Sequence, residues 1–344
     1  MADPSYFLVN DTRYDNHHGG LTVIRNLHRG MAARGWTCTG SLPVSAKPSQ
    51  LGRFRERIDA ASMVIVNGEG SLHHNSRNAR RLLGLCRELQ ATRPVAIINT
   101  TWQDNDSVSW KPVLDRCTTI SVRDRRSQER LAGIGVDADY APDLTFYDYP
   151  IFPRTENGRY VCTDSVFTSW TEWALDQSKN DPDMDFITLF TRHLHHTRGM
   201  RDGLKRLKYT LLPSLSNQLP DAVPPRYKAL CHSTDDTPEL IAQIASARAI
   251  CTGRYHALCF ALQQNTPFIA VPSNSGKIEA LLMDVGLPRN IYLLYKRDHA
   301  SLHNGLERAI DRHPTVEATI KAFNDSARQK IDDMFDSITS NPQG

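Results

Sequence analysis

The chain has 344 residues, which at ~150 residues per domain predicts two domains. Hydrophobic residues make up 40% and charged residues 23%, the balance of a globular protein rather than a disordered or fibrous one. A formal net charge of +3 falls short of the basic excess that coating nucleic acid requires. No apolar run approaches the ~18 residues of a membrane span, and Met63–Val66 and Val95–Ile98 have only strand length. The first residues, Met1-Ala2-Asp3-Pro4-Ser5, lack the basic-then-apolar order of a signal peptide. A soluble, cytoplasmic chain is expected, with its seven cysteines reduced and none in a C-x-x-C pair.

Tyr6–Val9 reads as a short strand, followed by a polar loop to Gly20 and a helix whose Leu21, Ile24, Leu27 and Met31 share one face. The pattern repeats: a strand at Ser62–Val66 ends in Asn67-Gly68-Glu69-Gly70-Ser71, Arg80–Leu89 is helical, and Pro94–Asn99 and Thr118–Val122 are strands. A helix over Ser127–Leu131 follows. The aperiodic, proline-bearing stretch Pro142–Gly158 suggests a boundary, giving an N-terminal domain over 1–150 and a C-terminal domain over 151–344. The second domain carries predicted strands at Tyr160–Phe167, Asp185–Phe190, Ala249–Cys251, Pro267–Val271 and Asn290–Leu294, with helices at Glu239–Ala247 and His256–Gln263. A last amphipathic helix carries Val316, Ile320, Phe323, Ile331 and Phe335. Apolar strands alternating with helices predict an α/β fold: two Rossmann-like domains facing a central cleft (GT-B-like), with parallel sheets covered by helices. Ligands are then expected at the carboxyl ends of the strands.

The segment richest in chemistry runs from Ala249 to Leu287. Arg254 and His256 fall just past a strand end, in the first turn of a helix, where backbone N–H groups and the helix dipole favour an anion. Arg254 adds a planar fork suited to carboxylate or phosphate. His256 exchanges a proton near neutral pH. Lys277 follows the next strand after Ser273-Asn274-Ser275-Gly276, so Ser275 and Lys277 are expected over the same cleft. Each alone is explained by a surface ion pair or a satisfied helix-start histidine; three such groups at successive strand ends point to an anionic small-molecule donor.

This segment resembles the C-terminal signature of the polysaccharide pyruvyl transferase family, in which a strand leads to Arg-x-His opening a helix, with Pro and Lys after the next strand. The resemblance extends to Val64–Leu72, to Ser121-Val122-Arg123-Asp124 with Ser127, to Gly133-Ile134-Gly135-Val136 and to Pro142-Asp143-Leu144. Together these span most of residues 60–290. The resemblance implies transfer of pyruvate from phosphoenolpyruvate to a sugar as a ketal, on a surface-polysaccharide or lipid-linked oligosaccharide acceptor, with no cofactor and no metal. It places the donor on Arg254, the general acid at His256 and a phosphate or carboxylate contact at Lys277. Glu69, in a glycine-flanked turn, is a candidate base on the acceptor hydroxyl or a carboxylate that merely favours a helix dipole. Asn67, Ser71, His73 and Arg123 are candidate substrate-binding groups.

Two departures from the family pattern open other readings. The N-terminal loop reads Asn16-His17-His18-Gly19-Gly20, in which Gly19 and Gly20 still offer an anion a helix start but the family's acidic residue is missing. The strand Cys162–Phe167 ends without the family's Arg, and Arg192 after the next strand is the candidate replacement. A glycosyltransferase using a nucleotide-activated sugar such as CMP-Kdo is the alternative, with Asp164 as nucleophile or, more simply, as a turn cap. A non-catalytic binding module is the third reading. Histidine clusters at His17-His18, His73-His74 and His193-x-His195-His196 lack a helical i, i+4 pair beside a carboxylate and read as hydrogen-bond donors rather than metal ligands. Arg192, Arg198, Arg201, Lys205, Arg206 and Lys208 read as a solvated face, with contact to an anionic acceptor or the inner membrane face as the minority reading. Trp102, Trp110, Trp170 and Trp173 are expected in the core rather than stacked on sugars.

Overall fold

The computed structural model describes residues 3–155, 158–193, 195–196 and 232–340. They form two compact units. The N-terminal unit comprises residues 1–13, 23–147 and 326–344; the C-terminal unit comprises 14–22 and 148–325. The division therefore departs from a single cut at 150: the histidine–glycine loop clusters with the second half, and the chain's end with the first.

In the N-terminal unit, β1 (Ser5–Asp11), β2 (Thr37–Pro43), β3 (Met63–Glu69), β4 (Val95–Thr100), β5 (Thr119–Val122) and β6 (Asp139–Tyr140) make a parallel sheet in the order β2-β1-β3-β4-β5-β6. The central strands are runs of Val, Ile and Leu buried along nearly their whole length, as a parallel sheet covered on both faces requires. The crossover helices are α1 (His18–Ala32), α2 (Arg55–Asp59), α3 (Arg77–Leu89), α4 (Ser107–Leu114) and α5 (Arg125–Ala132). Three of them start on a side-chain cap, with Ser76, Asp106 and Asp124 accepting from the amides of Ala79, Ser109 and Ser127.

In the C-terminal unit, β7 (Tyr160–Ser165), β8 (Met184–Ile187), β9 (Ala249–Gly253) and β10 (Phe268–Ala270) form a parallel sheet ordered β10-β9-β7-β8. Helices α6 (Thr168–Asn180), α7 (Thr237–Ser246), α8 (Tyr255–Gln263), α9 (Lys277–Val285) and α10 (Arg289–Tyr292) accompany it. The expected strand at Asn290–Leu294 is instead α10 followed by one bridge, Leu293 to Ala270. The last helix, α11, begins at His299 and runs to Ser340 through Pro314.

Trp102 is 3% exposed in the core, and Trp170 and Trp173 meet edge to face at 5.2 Å. The basic residues from Arg198 to Lys208 fall outside the described residues. Among the described residues, no helix is long and apolar enough to cross a membrane.

Candidate functional site

In the C-terminal unit, β9 ends at Gly253 and hands the chain to α8, with Arg254 as the extended cap residue and His256 in the first turn. Gly253 is required there because a Cβ would run into the backbone and side chain of Ser165 on β7. The neighbouring β10 leads through Ser275 and Gly276 to α9, whose first residue is Lys277. Lys277 thus follows the Ser273–Gly276 loop, as expected, and opens a helix. Two adjacent strands deliver two cations to two helix N-termini, and the unsatisfied amides there add to the positive field.

Arg254 is pinned on both sides. Its Nε donates to Asp164 Oδ2 at 2.5 Å, and its guanidinium carbon sits 4.9 Å from the centre of the Phe190 ring. Asp164, at the end of β7, has no exposed side-chain surface. Its Oδ1 accepts from Thr188 Oγ1 at 3.2 Å and from the Leu189 amide at 2.9 Å.

The loop at residues 14–22 supplies the rest. His17 bridges to Phe190 in antiparallel fashion, and their rings meet edge to face at 5.1 Å. The His17 and His256 rings lie 5.6 Å apart. The Gly19 amide donates to His17 Nδ1 at 3.1 Å, and a Cβ at Gly19 would overlap the His256 ring. Only glycine allows this backbone to approach the imidazole so closely. Loss of solvation, then the charges of Arg254, His256, His18 and Lys277, hold the His17 pKa well below its ordinary value. Arg254 and Lys277 give that surround a positive charge complementary to an anion. His18 is buried, its Nε2 donating to the Thr234 carbonyl at 3.2 Å and its Nδ1 paired with Thr237 Oγ1 at 2.9 Å. Burial lowers its pKa to about 4 against the raising effect of Thr234, Asp235 and Asp236.

The N-terminal unit carries a second polar cluster at the carboxyl ends of its central strands. Asn10, Asn67 and Asn99, from β1, β3 and β4, are buried side by side. Asn10 Nδ2 donates to the Asn67 carbonyl at 2.7 Å, and Asn99 Nδ2 donates to Asn67 Oδ1 at 3.3 Å. Asn67 Nδ2 reaches Thr12 Oγ1 at 3.3 Å, and Thr12 in turn donates to Glu69 Oε1 at 3.1 Å. Ser71 Oγ lies 3.5 Å from Asn10 Nδ2. Asn10, Glu69 and Asn99 have φ of 66°, 39° and 54°. Asparagine tolerates the left-handed region; glutamate there costs about 1–2 kcal/mol, strain that concentrates at functional sites.

The model of the polysaccharide pyruvyl transferase family matches residues 6–275. The chain belongs to that family. Solved structures with a similar fold include a Listeria monocytogenes protein described as a UDP-N-acetylglucosamine 2-epimerase, with TM-score 0.57 and 10% identity over 99% of this chain and 97% of that one. Staphylococcus aureus MnaA with UDP has TM-score 0.52 and 8% identity over 94% and 92%. The Neisseria meningitidis UDP-GlcNAc 2-epimerase bound to UDP-GlcNAc has 0.51 and 11% over 98% and 100%. The likeness is one of fold, GT-B-like α/β. No curated protein matches the chain.

Several expected site residues of this polysaccharide pyruvyl transferase family member have other duties. Arg123 is 2% exposed, bonded to Asp143 at 2.8 Å and to Thr101 Oγ1 at 3.0 Å. It joins two of the segments that resemble the family, Ser121–Asp124 and Pro142–Leu144, and is buried too deeply to grip a ligand. Asp164 holds Arg254 with one oxygen and backbone and hydroxyl donors with the other, an arrangement that suits anchoring Arg254 better than offering a nucleophile's open lone pair. Arg192 is exposed beyond β8, its amide bonded to the Thr234 carbonyl. His73 packs its ring against His74, with Nδ1 atoms 2.9 Å apart. Gly20, in the first turn of α1, is buried beside Gly19. Ser275 is 7% exposed and its Oγ has no hydrogen-bond partner among the described residues. Asn10, Asn99, Thr12 and Phe190 escaped sequence reasoning. The Asn and Thr at strand ends were the available signal.

Proposed function

We propose that this transferase moves pyruvate from phosphoenolpyruvate onto two hydroxyls of a sugar in a surface-polysaccharide precursor, forming a ketal. The observation that carries the reading is the C-terminal unit's cationic cluster, in which Arg254 is clamped by Asp164 and Phe190 beside His256, His17 and the Lys277 helix start. Phosphoenolpyruvate brings a phosphate and a carboxylate, and Arg254, Lys277, the Ser275 hydroxyl and two helix N-termini supply matching donors. The acidic group usual in the family's N-terminal loop is missing here, and His17 of that loop brings an imidazole beside His256.

His256 is assigned the general acid. One sugar hydroxyl adds to C2 of the enol while His256 delivers a proton to C3. Phosphate then leaves, and the second hydroxyl closes the ketal. Of the two hydroxyl protons released, one balances the proton gained at C3 and the other leaves with phosphate. The N-terminal unit's strand-end cluster is assigned the acceptor, with Glu69 as base, its carboxylate fixed by Thr12. No metal is required for these steps.

The folds that carry UDP or UDP-GlcNAc favour one second reading, glycosyl transfer from a nucleotide-activated sugar such as CMP-Kdo. A panel of sugar acceptors incubated with phosphoenolpyruvate or with CMP-Kdo separates the two by product mass. A pyruvate-sized gain is expected; an ulosonic-acid-sized gain selects the second reading, and no gain with any acceptor leaves a binding module. His256→Ala is expected to abolish transfer with the fold intact, as judged by circular dichroism. Arg254→Ala is expected to raise the donor KM by about 100-fold, the scale of a lost charged hydrogen-bond pair. Near-normal turnover in the first variant, or an unchanged donor KM in the second, removes that residue from its role.

A further inference from the structure

We propose that the C-terminal unit holds a transition-metal site built from Asp181, His299 and His303, remote from the transfer chemistry and structural in purpose. His299 and His303 open α11, one helical turn apart at i and i+4, so their imidazoles share a face. Their ring centroids are 4.2 Å apart. Asp181 follows α6, and its Oδ2 lies 2.7 Å from His303 Nε2. One ligand atom from each of the three residues lies within 4.8 Å of the other two.

The chemistry of the set narrows the ion. Two imidazoles and one carboxylate are the donors of zinc and its neighbours among the borderline dications, whereas magnesium and calcium take oxygen shells. Ligands ~2.0–2.2 Å from a tetrahedral ion stand roughly 3.3 Å apart. The His303–Asp181 contact, 2.7 Å, therefore opens by about 0.6 Å on metal uptake while ligand atoms now as far as 4.8 Å apart close, movements within side-chain rotation. His299 is exposed and Asp181 and His303 are partly so, which gives the ion an entry path and leaves water the remaining coordination position.

The surroundings hold the ligands in place. Gln177 Oε1 is 3.1 Å from His299 Nδ1. The Tyr160 ring meets His303 edge to face at 5.5 Å, and its hydroxyl bonds to Glu307, one further turn along the same helix. An acceptor on the second ring nitrogen, as Gln177 is to His299, orients a metal-ligating imidazole, and the Tyr160 ring limits the rotation of His303. Asp181 precedes β8 and Tyr160 begins β7, so the cluster lies at the amino edge of the four-stranded sheet. Arg254 and His256 follow the carboxyl end of β9. The metal would tie α11 to α6 and take no part in transfer.

The test uses full-length protein freed of metal with a chelator and titrated with Co2+, read by its visible d–d absorption. One equivalent is expected to bind in a low-coordinate spectrum, displaced by Zn2+ and not by Mg2+. His303→Ala and Asp181→Asn are expected to weaken Co2+ binding by about 100-fold, at or above the 10–100-fold seen for outer partners alone. His193→Ala/His195→Ala is expected to leave it unchanged. Zn2+ is expected to raise the melting temperature of the wild type and not of His303→Gln, a variant that retains a polar group for Asp181. Absence of stoichiometric Co2+ binding by the wild type, or equal affinity in His303→Ala, overturns the site and leaves an ordinary His–Asp ion pair.

Discussion

Asp164 and Arg254 form a pair in which burial decides the division of labour. The Asp164 side chain has no exposed surface, while the Arg254 side chain retains 14%. Desolvation is therefore concentrated on the anion, which must be satisfied fully, and Arg254, Thr188 and Leu189 do so. The cation keeps a path to solvent and to an anionic ligand. Asp164→Asn preserves size and removes the charge. The expected result is a donor KM higher by about 10- to 100-fold, the range for losing one charge-assisted hydrogen bond, with kcat changed far less. A nucleophilic Asp164 predicts the opposite split: kcat falls by orders of magnitude at near-constant KM, and the wild type accumulates a covalent adduct visible by mass spectrometry. Steady-state kinetics of one variant decides between them. Arg254 and His256 were legible in the sequence because a strand-to-helix junction is local. Asp164, Gly19 and the His17-His18 pair stood out in the sequence as well, but their packing against Arg254 and His256, and the part Phe190 takes in it, were not legible, since contacts separated by 64 residues or more leave no trace in local periodicity.

The start of α1 shows the same limit for whole elements, and it carries a pH dependence. Sequence periodicity places this helix from its apolar face, Ile24, Leu27 and Met31, all fully buried. Its first residue, His18, instead clusters with the C-terminal unit, where it is neutral and donates from Nε2 to the Thr234 carbonyl. A histidine whose pKa is lowered from 6.5 to about 4 binds fewer protons folded than unfolded between those values. Stability is then complete above pH 6.5 and declines as pH falls toward 4, by up to about 1.4 kcal/mol per pH unit. Urea unfolding from pH 7.5 to 4.5 is expected to show that decline, and His18→Asn, which cannot titrate, is expected to make it shallower by the His18 share, the remainder coming from His17, His28 and His313, whose pKa values burial also lowers. An unchanged slope in the variant assigns the acid sensitivity to other groups. The central strands were legible as unbroken apolar runs. The edge strand β2, with mostly exposed or half-exposed residues, had no such run to read. Over 290–294 an apolar stretch too short to carry a period fits a strand or a helical turn equally well, and the chain takes the turn.

At the scale of the molecule, α11 divides its packing between two units, so its substitutions should separate by position. Leu302 and Leu306 belong to the core of the C-terminal unit with Phe186, Cys251 and Ile269. Further along, Phe335 is fully buried in the N-terminal unit. Its ring packs so tightly on α1 that a Cβ at Gly30 would overlap it. Tyr147 meets it edge to face at 5.3 Å, and the Arg34 guanidinium stacks at 5.4 Å from its centre while bonding to Asp332 and Asp336. Removing the ring leaves a cavity that Gly30 has no side chain to fill, so Phe335→Ala is expected to cost about 3–5 kcal/mol. Leu306→Ala is expected to cost about 2–5 kcal/mol. Hydrogen exchange should assign each loss to its own unit. Phe335→Ala should expose amides of β1 and β3 first, although the substitution lies near the chain's end. Leu306→Ala should expose β7 and β9 first. Loss of protection spread evenly over both sheets by either variant would show that the chain unfolds as one cooperative body, and the two-unit packing of α11 would then carry no separate energetic consequence.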